Sequence, residues 1–383
     1  MPFFEIIKRV LIRAASCCLR IFPIKKNRII FYGATFEAYN CNPKYVHMYM
    51  QEKYGDKYEY IWEFKHPKKQ TMPKNTRFVK RYSFMWFYMM NTSKVIITNA
   101  GLKSPYPIRK KQYTIETWHG GGAYKIVGFR QFDNTSMNDW VRTNMVNSIN
   151  VYISSSKIFT QYHILGGLHY QGEILKCGMP RNDIFFYPER VAAAKKKIQE
   201  TYGISGRIIL YAPTFRGATK HYRASETVID ANRVLESLKK RYGEEVTLLV
   251  RAHFGTDFSN KFGNNVLNAT DYPDMQELLC AADILINDYS SSMWDYSLLG
   301  RPCLLYVPDL DQYDNKDRGF FTPIETWPGI ICHDMDELCH EIEHLDEARC
   351  AEIARKHQEY AGTYENGTAC ETVCKRIVEF CNS

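Results

Sequence analysis

A histidine lies at the start of a glycine run in the segment TWHGGG, residues 117–122. The β-rich run Tyr113–Thr117 precedes it, so we expect a strand to deliver His119 to a turn. Glycines let backbone N–H groups approach a bound anion closely, and a histidine beside a phosphate can act as a general base. We predict that His119 is catalytic and that Gly120 and Gly121 bind phosphate. A loop with a buried histidine is the structural alternative.

The HGGG run also matches the oxyanion segment of some lipases and esterases. That chemistry requires a GxSxG nucleophile elbow. The sequence contains no such motif, so we exclude the esterase interpretation.

Two more polar turns follow predicted strands: GMPRND at residues 178–183 and YAPTFR at residues 211–216. Glycine and proline shape such turns, and hydroxyl and guanidinium groups can bind phosphate. From the first turn we predict that Arg181 and Asn182 bind phosphate, although a purely structural turn explains the motif equally well. From the second we predict Thr214 and Arg216.

The segment RAH, residues 251–253, places two basic side chains at the end of a predicted strand. Alternation along a strand puts Arg251 and His253 on the same face. Such a pair suits an anionic substrate, and a histidine can donate a proton to a leaving phosphate. We predict that Arg251 binds phosphate and that His253 is the second catalytic residue.

The segment NDYSSS, residues 287–292, precedes an apolar helical run. Hydroxyls and unpaired N–H groups at a helix start can bind an anion, whereas ordinary N-capping by serine is the alternative. Three serines and an aspartate exceed what capping requires. We therefore predict that Asp288, Ser290 and Ser291 bind an anionic substrate. Arg318 can reach the same anion.

Short β-rich runs alternate with helical stretches around these motifs, a pattern typical of parallel sheets with crossover helices. We predict the α/β class, with two doubly wound Rossmann-like domains at residues 28–190 and 191–383. The last helices can cross back to the first domain. Ligands of such domains bind at the carboxyl ends of strands, so we expect the site in a central cleft between the domains.

Two local helix expectations follow from residue preferences. Asn42 and Pro43 suit the N-cap and first position of a helix. A second helix is expected to run unbroken from Met335 to about Tyr360. The cysteines and histidines in and near that stretch lack the paired short spacings of a zinc site, so we interpret them as ordinary helix residues: Cys332, His333, Cys339, His340, His344 and Cys350.

The N-terminal segment, residues 1–27, reads as a basic amphipathic helix. A helical wheel places Ile7 and Leu11 on an apolar face and Arg13 and Ser16 opposite it, and Pro23 ends the helix. Charges interrupt the apolar residues too often for a membrane span. The pattern favours a helix lying in an anionic membrane interface; a helix packed on its own domain is the alternative.

Composition narrows the class of protein. The 383 residues carry a net charge of +8 and 12 scattered cysteines without a CxxC pair. No secretory signal is visible, so we expect reduced thiols and a cytosolic compartment. The basic excess is concentrated near the N-terminus and no interleaved aromatic–basic motif appears, so we expect no nucleic-acid partner.

Taken in order, these motifs resemble the CDP-glycerol glycerophosphotransferase family of teichoic acid synthesis. The resemblance runs from about residue 28 to near the end. Its matching segments are TWHG (117–120), GMPRND (178–183), LYAPTFR (210–216), RAH (251–253), the long block from 282 to 313, and RGFF (318–321).

The resemblance implies a GT-B type fold and two essential histidines, which by motif are His119 and His253. It implies a CDP-alcohol donor, CDP-glycerol or CDP-ribitol, and an acceptor that is a lipid-linked polymer or disaccharide. It also implies peripheral attachment to the cytoplasmic face of the membrane. The sequence departs from the family at Gly121 and Gly122, where Thr-Pro is usual, and at Phe254, where Pro is usual. Both departures leave the donor and acceptor open.

The expected reaction is displacement at the β-phosphorus, with His119 as base and release of CMP. No cofactor is certain: no Asp-rich metal cluster is evident in the sequence, and a Mg²⁺ requirement is left open. Two other functions remain as alternatives: a GT-B glycosyltransferase that uses a nucleotide sugar, and a non-catalytic membrane- or nucleic-acid-binding protein. Transfer of a single unit and polymerisation are both compatible with the sequence.

Overall fold

The structure is a computed structural model that describes residues 3–33, 38–66, 73–102, 106, 108–130, 136–214, 229–243, 245–251 and 265–383. The strands in the described residues are β1 (Lys25–Tyr32), β2 (Glu59–Phe64), β3 (Thr76–Lys80), β4 (Ser93–Thr98), β5 (Tyr113–Glu116), β6 (Val151–Ser154), β7 (Glu173–Lys176), β8 (Arg207–Tyr211), β9 (Val246–Val250), β10 (Val266–Asn268), β11 (Ile284–Asn287), β12 (Cys303–Tyr306) and β13 (Ile330–Cys332).

The α-helices in the described residues are α1 (Phe3–Cys18), α2 (Cys41–Tyr54), α3 (Phe84–Thr92), α4 (Ser136–Val146), α5 (Pro188–Tyr202), α6 (Ala231–Tyr242), α7 (Met275–Ala281), α8 (Ser292–Ser297), α9 (Leu310–Gln312), α10 (Met335–Glu343), α11 (Glu347–Ala361) and α12 (Ala369–Asn382). A wide π-type helical segment, Phe159–Gly167, follows β6.

The chain divides into two compact units, each built from several stretches. The first unit contains Met1–Gly121, Val127–Asp183 and Tyr364–Ser383; the second contains Gly122–Ile126 and Ile184–Thr363. The chain thus passes into the second unit for a few residues, beginning at the last glycine of the run 120–122. Its segment Tyr364–Ser383 belongs to the first unit.

The first unit contains a seven-stranded parallel sheet with the order β3-β2-β1-β4-β5-β6-β7. All six residues of the central strand β4 are buried, as expected for a parallel strand covered on both faces. The strand order reverses between β1 and β4. This reversal is the topological switch point at which doubly wound folds bind ligands.

The second unit contains a six-stranded parallel sheet with the order β10-β9-β8-β11-β12-β13. Its switch point lies between β8 and β11. Ile209 and Ile286 of these strands share one hydrophobic core with Val234 of α6 and Leu338 of α10. The two parallel sheets confirm the predicted α/β class.

The predicted single helix from Met335 to Tyr360 is wrong. Helix α10 ends at Glu343, and the carboxylate of Asp346 accepts the N–H groups of Ala348 and Arg349 to begin α11. Leu345, between the helices, is buried. An N-capping aspartate and a buried leucine therefore set the break.

Asn42 is not the N-cap of α2, contrary to our expectation. The helix begins one residue earlier, at Cys41, with Asn40 as the N-cap. The Asn42 side chain is fully buried and bonds to another part of the unit, as described below.

Helix α1 forms as predicted, but its faces differ from the helical wheel. Ser16 is buried, and its hydroxyl accepts a hydrogen bond from the Asn91 amide at 3.0 Å. The polar residue therefore faces α3, where it has a partner. Val10 and Leu11 are 60% and 62% exposed, so described apolar side chains of α1 are uncovered by the protein.

Candidate active site

The first part of the candidate site is the turn that follows β5 and carries His119. Its Nδ1 lies 2.8 Å from the backbone oxygen of Asn99, which follows β4. A carbonyl can only accept, so Nδ1 carries the proton and Nε2 is the basic nitrogen of the neutral ring. The Trp118 ring stacks on the imidazole with centroids 4.5 Å apart. His119 is exposed, so a substrate can reach it.

The backbone of this turn is strained at Trp118, whose φ is 52°. Bulky residues rarely adopt this left-handed conformation. The N–H of Trp118 donates to the carboxylate of Glu116 at 2.7 Å, and its carbonyl accepts from the Asn42 amide at 2.9 Å. Both sides of the strained residue are therefore fixed by buried side chains.

Arg181 ties the second predicted motif to the same turn. Its guanidinium donates to the backbone oxygen of His119 at 2.9 Å, and its N–H donates to the side-chain oxygen of Asn42 at 3.0 Å. The amide of Asn42 also donates to the Thr117 carbonyl at 2.9 Å. The structure thus brings Arg181 next to His119; phosphate binding by Arg181 stays a prediction.

Other residues of the GMPRND turn hold the C-terminal segment of the first unit. The amide of Asn182 donates to Glu365 at 3.0 Å, and Glu365 also accepts the Met179 N–H at 2.9 Å. The carboxylate of Asp183 accepts two N–H groups at the start of α12, from Ala369 and Cys370. These contacts fit the structural-turn alternative, and donor binding by Asn182 remains untested.

The glycine run leads the chain into the second unit. Gly120 and Gly121 end a stretch of the first unit, and Gly122 begins the insertion Gly122–Ile126. A Cβ on Gly122 would lie 2.0 Å from the Tyr124 ring, so the position needs a glycine for close approach. Phosphate binding by Gly120 and Gly121 stays a prediction.

The Gly122–Ile126 insertion is built into the second unit by hydrogen bonds. The N–H of Phe321 donates to the Tyr124 carbonyl at 2.7 Å, and the N–H of Ile126 donates to the Gly319 carbonyl at 3.0 Å. The Tyr124 hydroxyl lies 2.8 Å from Nε2 of His357. The insertion therefore pairs with the backbone that directly follows Arg318.

The switch point of the second unit brings together Thr214 and Asp288. The N–H of Thr214 lies 3.0 Å and 2.9 Å from the two carboxylate oxygens of Asp288, and the N–H of Tyr289 donates to the same carboxylate at 2.6 Å. Asp288 is 3% exposed. Its carboxylate shapes the loops after β8 and β11; direct contact with a donor stays a prediction.

The serine run after β11 precedes the short helix α8. The amide of Asn287 donates to the Ser290 carbonyl at 2.9 Å, and the Ser292 hydroxyl donates to the Ser290 hydroxyl at 3.1 Å. Ser291 occupies the N-cap position, but its side chain makes no capping hydrogen bond to the described helix. Ser291 therefore does not act as an ordinary cap. Donor binding by Ser290 and Ser291 stays a prediction.

Two arginines of the second unit were predicted to bind phosphate. Arg251 follows β9, and burial lowers the pKa of its guanidinium. Its Nη1 is buried and has no hydrogen-bond partner among the described residues. Arg318 is half-buried, and its N–H donates to the Tyr313 carbonyl at 3.0 Å. A buried guanidinium nitrogen without a partner is costly, which suits Arg251 to an anionic ligand.

Two predicted site residues, Arg216 and His253, lie outside the described residues. In the part of the chain that the structure describes, no three His, Cys, Asp or Glu side chains lie close enough together to hold a metal ion. Across the same residues, no helix has the length and apolar character needed to cross a membrane.

Sequence reasoning missed the residue that organises the His119 turn. Glu116 is 1% exposed, and each of its carboxylate oxygens accepts one backbone N–H, from Trp118 and from Gly101. Burial raises the pKa of this carboxyl to about 8. The available signal was an acidic residue at the end of an otherwise uncharged strand.

Comparisons with known proteins agree with the fold and the motifs. Residues 14–379 match the family described as CDP-Glycerol:Poly(glycerophosphate) glycerophosphotransferase. A teichoic acid poly(glycerol phosphate) polymerase of Bacillus spizizenii is 29% identical over 356 residues, 88% of each chain. A teichoic acid ribitol-phosphate primase of the same organism is 31% identical over 315 residues, 78% of each chain.

Longer relatives and solved structures match as well. A poly(glycerol phosphate) polymerase of Staphylococcus epidermidis is 30% identical over 85% of this chain, but the chain spans only 46% of that relative's length. The wall teichoic acid polymerase TagF superposes with a TM-score of 0.83 at 25% identity, over 99% of this chain and 97% of that chain. A TagF variant soaked with CDPG also superposes with a TM-score of 0.83.

Two α/β units with polar motifs at the carboxyl ends of their parallel strands define a transferase of the GT-B type. The chain belongs to the CDP-Glycerol:Poly(glycerophosphate) glycerophosphotransferase family. The nucleotide-sugar alternative is not favoured, because the relatives named here are teichoic acid enzymes.

Proposed function

We propose that this chain transfers a polyol phosphate, glycerol phosphate or ribitol phosphate, from a CDP-alcohol to a lipid-linked teichoic-acid-like or capsular acceptor. The observation that carries the proposal is the orientation of His119. Its protonated Nδ1 is bonded to Asn99, so Nε2 is the nitrogen able to take a proton. Family membership supplies the donor class.

In the proposed reaction, an acceptor hydroxyl oxygen attacks the β-phosphorus of the CDP-alcohol. Nε2 of His119 takes the hydroxyl proton, the bond from the β-phosphorus to the bridging oxygen breaks, and CMP leaves with that oxygen. The Asn99 carbonyl stabilises the imidazolium through Nδ1–H. Phosphoryl-type transfer depends mainly on positioning and charge stabilisation.

The donor's pyrophosphate is assigned to groups of the second unit. The hydroxyls of Ser290 and Ser291, with Arg251 and Arg318, supply donors and positive charge. His253 is proposed to protonate or stabilise the leaving phosphate. Among the described residues, Nη1 of Arg251 has no hydrogen-bond partner, and an anion would satisfy it, which supports this assignment.

The test is nucleotide release by purified protein, measured as CMP from CDP-glycerol or CDP-ribitol and as UDP from a UDP-sugar, each with a lipid-linked acceptor analogue. We expect acceptor-dependent CMP from one CDP-alcohol, and mass spectrometry of the product separates single addition from chain extension. His119→Ala should lower kcat by about 10²–10⁴-fold. His340→Ala, at an exposed histidine on α10, is the matched control. Turnover only with the UDP-sugar, or unchanged kcat in His119→Ala, contradicts the proposal.

We also propose that α1 attaches the chain to the cytoplasmic face of the membrane. The exposed apolar side chains of Val10 and Leu11 support it. Exposed basic residues on and after α1, Arg13 and Arg20, add attraction for anionic lipid. Such a helix binds a bilayer surface by apolar burial together with charge.

Liposome sedimentation tests this attachment. Val10→Glu combined with Leu11→Glu should abolish binding to vesicles containing anionic phospholipid. Leu165→Glu changes a 42% exposed leucine elsewhere in the first unit and should leave binding intact. Equal binding by the helix variant and the control would rule out α1 as the attachment site.

A further inference from the structure

We propose that Glu116 is a positioning residue that fixes the tautomer and orientation of His119 by holding both the turn that carries the imidazole and the loop that accepts the hydrogen bond from its Nδ1–H. The proposal rests on the proposed role of His119 as base. Glu116 acts through two backbone segments.

The first segment is the His119 turn itself. One carboxylate oxygen of Glu116 accepts the Trp118 N–H at 2.7 Å. Trp118 has a left-handed backbone, which is unfavourable for a bulky residue and persists only where the surroundings impose it. Losing this hydrogen bond lets the residue before His119 relax toward a commoner conformation, which would move the imidazole.

The second segment is the loop after β4. The other oxygen of Glu116 accepts the N–H of Gly101 at 2.7 Å. Gly101 lies two residues after Asn99, whose carbonyl accepts the hydrogen bond from Nδ1–H of His119. One oxygen of Glu116 therefore holds the turn that carries the imidazole. The other oxygen holds the loop that carries the hydrogen-bond acceptor of Nδ1–H.

The burial of the Glu116 carboxyl costs free energy. Glu116 is 1% exposed, and its described hydrogen bonds are to backbone N–H groups. An ionised carboxyl in such a place is disfavoured, and burial raises its pKa. A buried acid that bonds to both sides of a candidate base points to a role in positioning.

Two variants and one matched control separate this role from a merely structural one. Glu116→Leu removes both acceptors, whereas Glu116→Gln keeps one carbonyl oxygen and the same length. Glu63→Gln is the control, because Glu63 is equally buried in the same unit. Its partners are side chains: it forms an ion pair with Arg81 and accepts a hydrogen bond from the Trp86 indole.

The direct readout is ¹⁵N NMR of the His119 imidazole, which reports the tautomer without turnover. We expect the Nδ1–H form in wild type and in Glu63→Gln, a mixture of tautomers in Glu116→Leu, and an intermediate result in Glu116→Gln. The kcat for CMP release should fall about tenfold to a hundredfold in Glu116→Leu and recover in part in Glu116→Gln, with KM for the CDP-alcohol unchanged.

A wild-type tautomer in both Glu116 variants would overturn the proposal. An altered tautomer with unchanged kcat would overturn its catalytic part. If Glu116→Leu fails to fold, Glu116→Gln still decides through the tautomer. The proposed function fails on a different result, namely full activity of His119→Ala, so the two outcomes are distinguishable.

Discussion

The side-chain oxygen of Asn42 accepts the backbone N–H of Arg181 at 3.0 Å. The amide of the same side chain donates to the carbonyls of Thr117 and Trp118. A single buried asparagine therefore joins the two motif turns of the first unit.

Replacing this residue should lower stability and activity together. Asn42→Ala removes the partner of the Thr117 carbonyl and of the Arg181 N–H, and one of two donors to the Trp118 carbonyl, so we expect the free energy of unfolding to fall by about 3 kcal/mol. The His119 turn also loses a support, so kcat should fall. Urea unfolding and CMP release measure the two effects. Asn144→Ala, at an exposed asparagine of α4, is the control, and an equal small effect in both variants would contradict the prediction.

Asp288 is predicted to control donor affinity. Asp288→Ala removes the acceptor of the Thr214 and Tyr289 N–H groups, so the loops after β8 and β11 should loosen. We expect KM for the CDP-alcohol to rise about tenfold, equivalent to about 1.4 kcal/mol, with KM for the acceptor little changed. Steady-state kinetics with each substrate varied measures this effect. Asp311→Ala, at an exposed position of α9, should behave as wild type; an unchanged donor KM in Asp288→Ala would exclude the role.

Asp183 is predicted to stabilise the start of α12 without taking part in chemistry. Asp183→Ala removes the acceptor of two buried N–H groups, so we expect a loss of about 2 kcal/mol in unfolding free energy. Asp346→Ala removes an exposed cap of α11 and should cost about 1 kcal/mol. Chemical denaturation gives both values. The reverse order would show that the Asp183 contacts are weak.

His357 is predicted to make the protein sensitive to acid. Burial lowers the pKa of His357 to about 4, below the value of about 6.5 expected in an unfolded chain. Between these values the unfolded state binds more protons, so the free energy of unfolding falls as the pH falls, by up to about 1.4 kcal/mol per unit.

The test for His357 is urea unfolding between pH 6.5 and pH 4.5. Burial lowers the pKa of His47 and His163 as well, so His357→Gln removes one of three such groups and should reduce the slope, whereas His340→Ala should keep the wild-type slope. Parallel slopes for wild type and His357→Gln would show that His357 does not govern this range.

Strands in the middle of each sheet could be predicted from sequence because their apolar runs are bounded by turn residues. The sequence predicts strands at Arg207–Tyr211 and Val246–Val250, and β8 and β9 have these bounds. The edge strands β3, β10 and β13 were not predicted. β10 and β13 have three residues each, and burial along β3 does not alternate, so no strong period marks these strands.

The motif residues of the site could also be found from sequence, but their partners could not. His119 stands out by type and spacing, whereas its partner is a backbone carbonyl, which every residue possesses. Asn42 acts through contacts across 75 residues or more, and Glu116 joins its own turn to the loop after β4, 15 residues earlier. Only the folded chain shows such pairings.

The interleaving of the two units has a consequence for how the protein is made. The sheet of the first unit is covered in part by α12, where Phe380 stacks on Tyr113 of β5 at 4.0 Å. The second unit needs no residue beyond Thr363. Along the chain, all seven strands of that sheet precede Ile184–Thr363 of the second unit, whereas α12 follows it. On the ribosome, the sheet therefore lacks the cover of α12 while the second unit is made, and it must stay free of aggregation during that time.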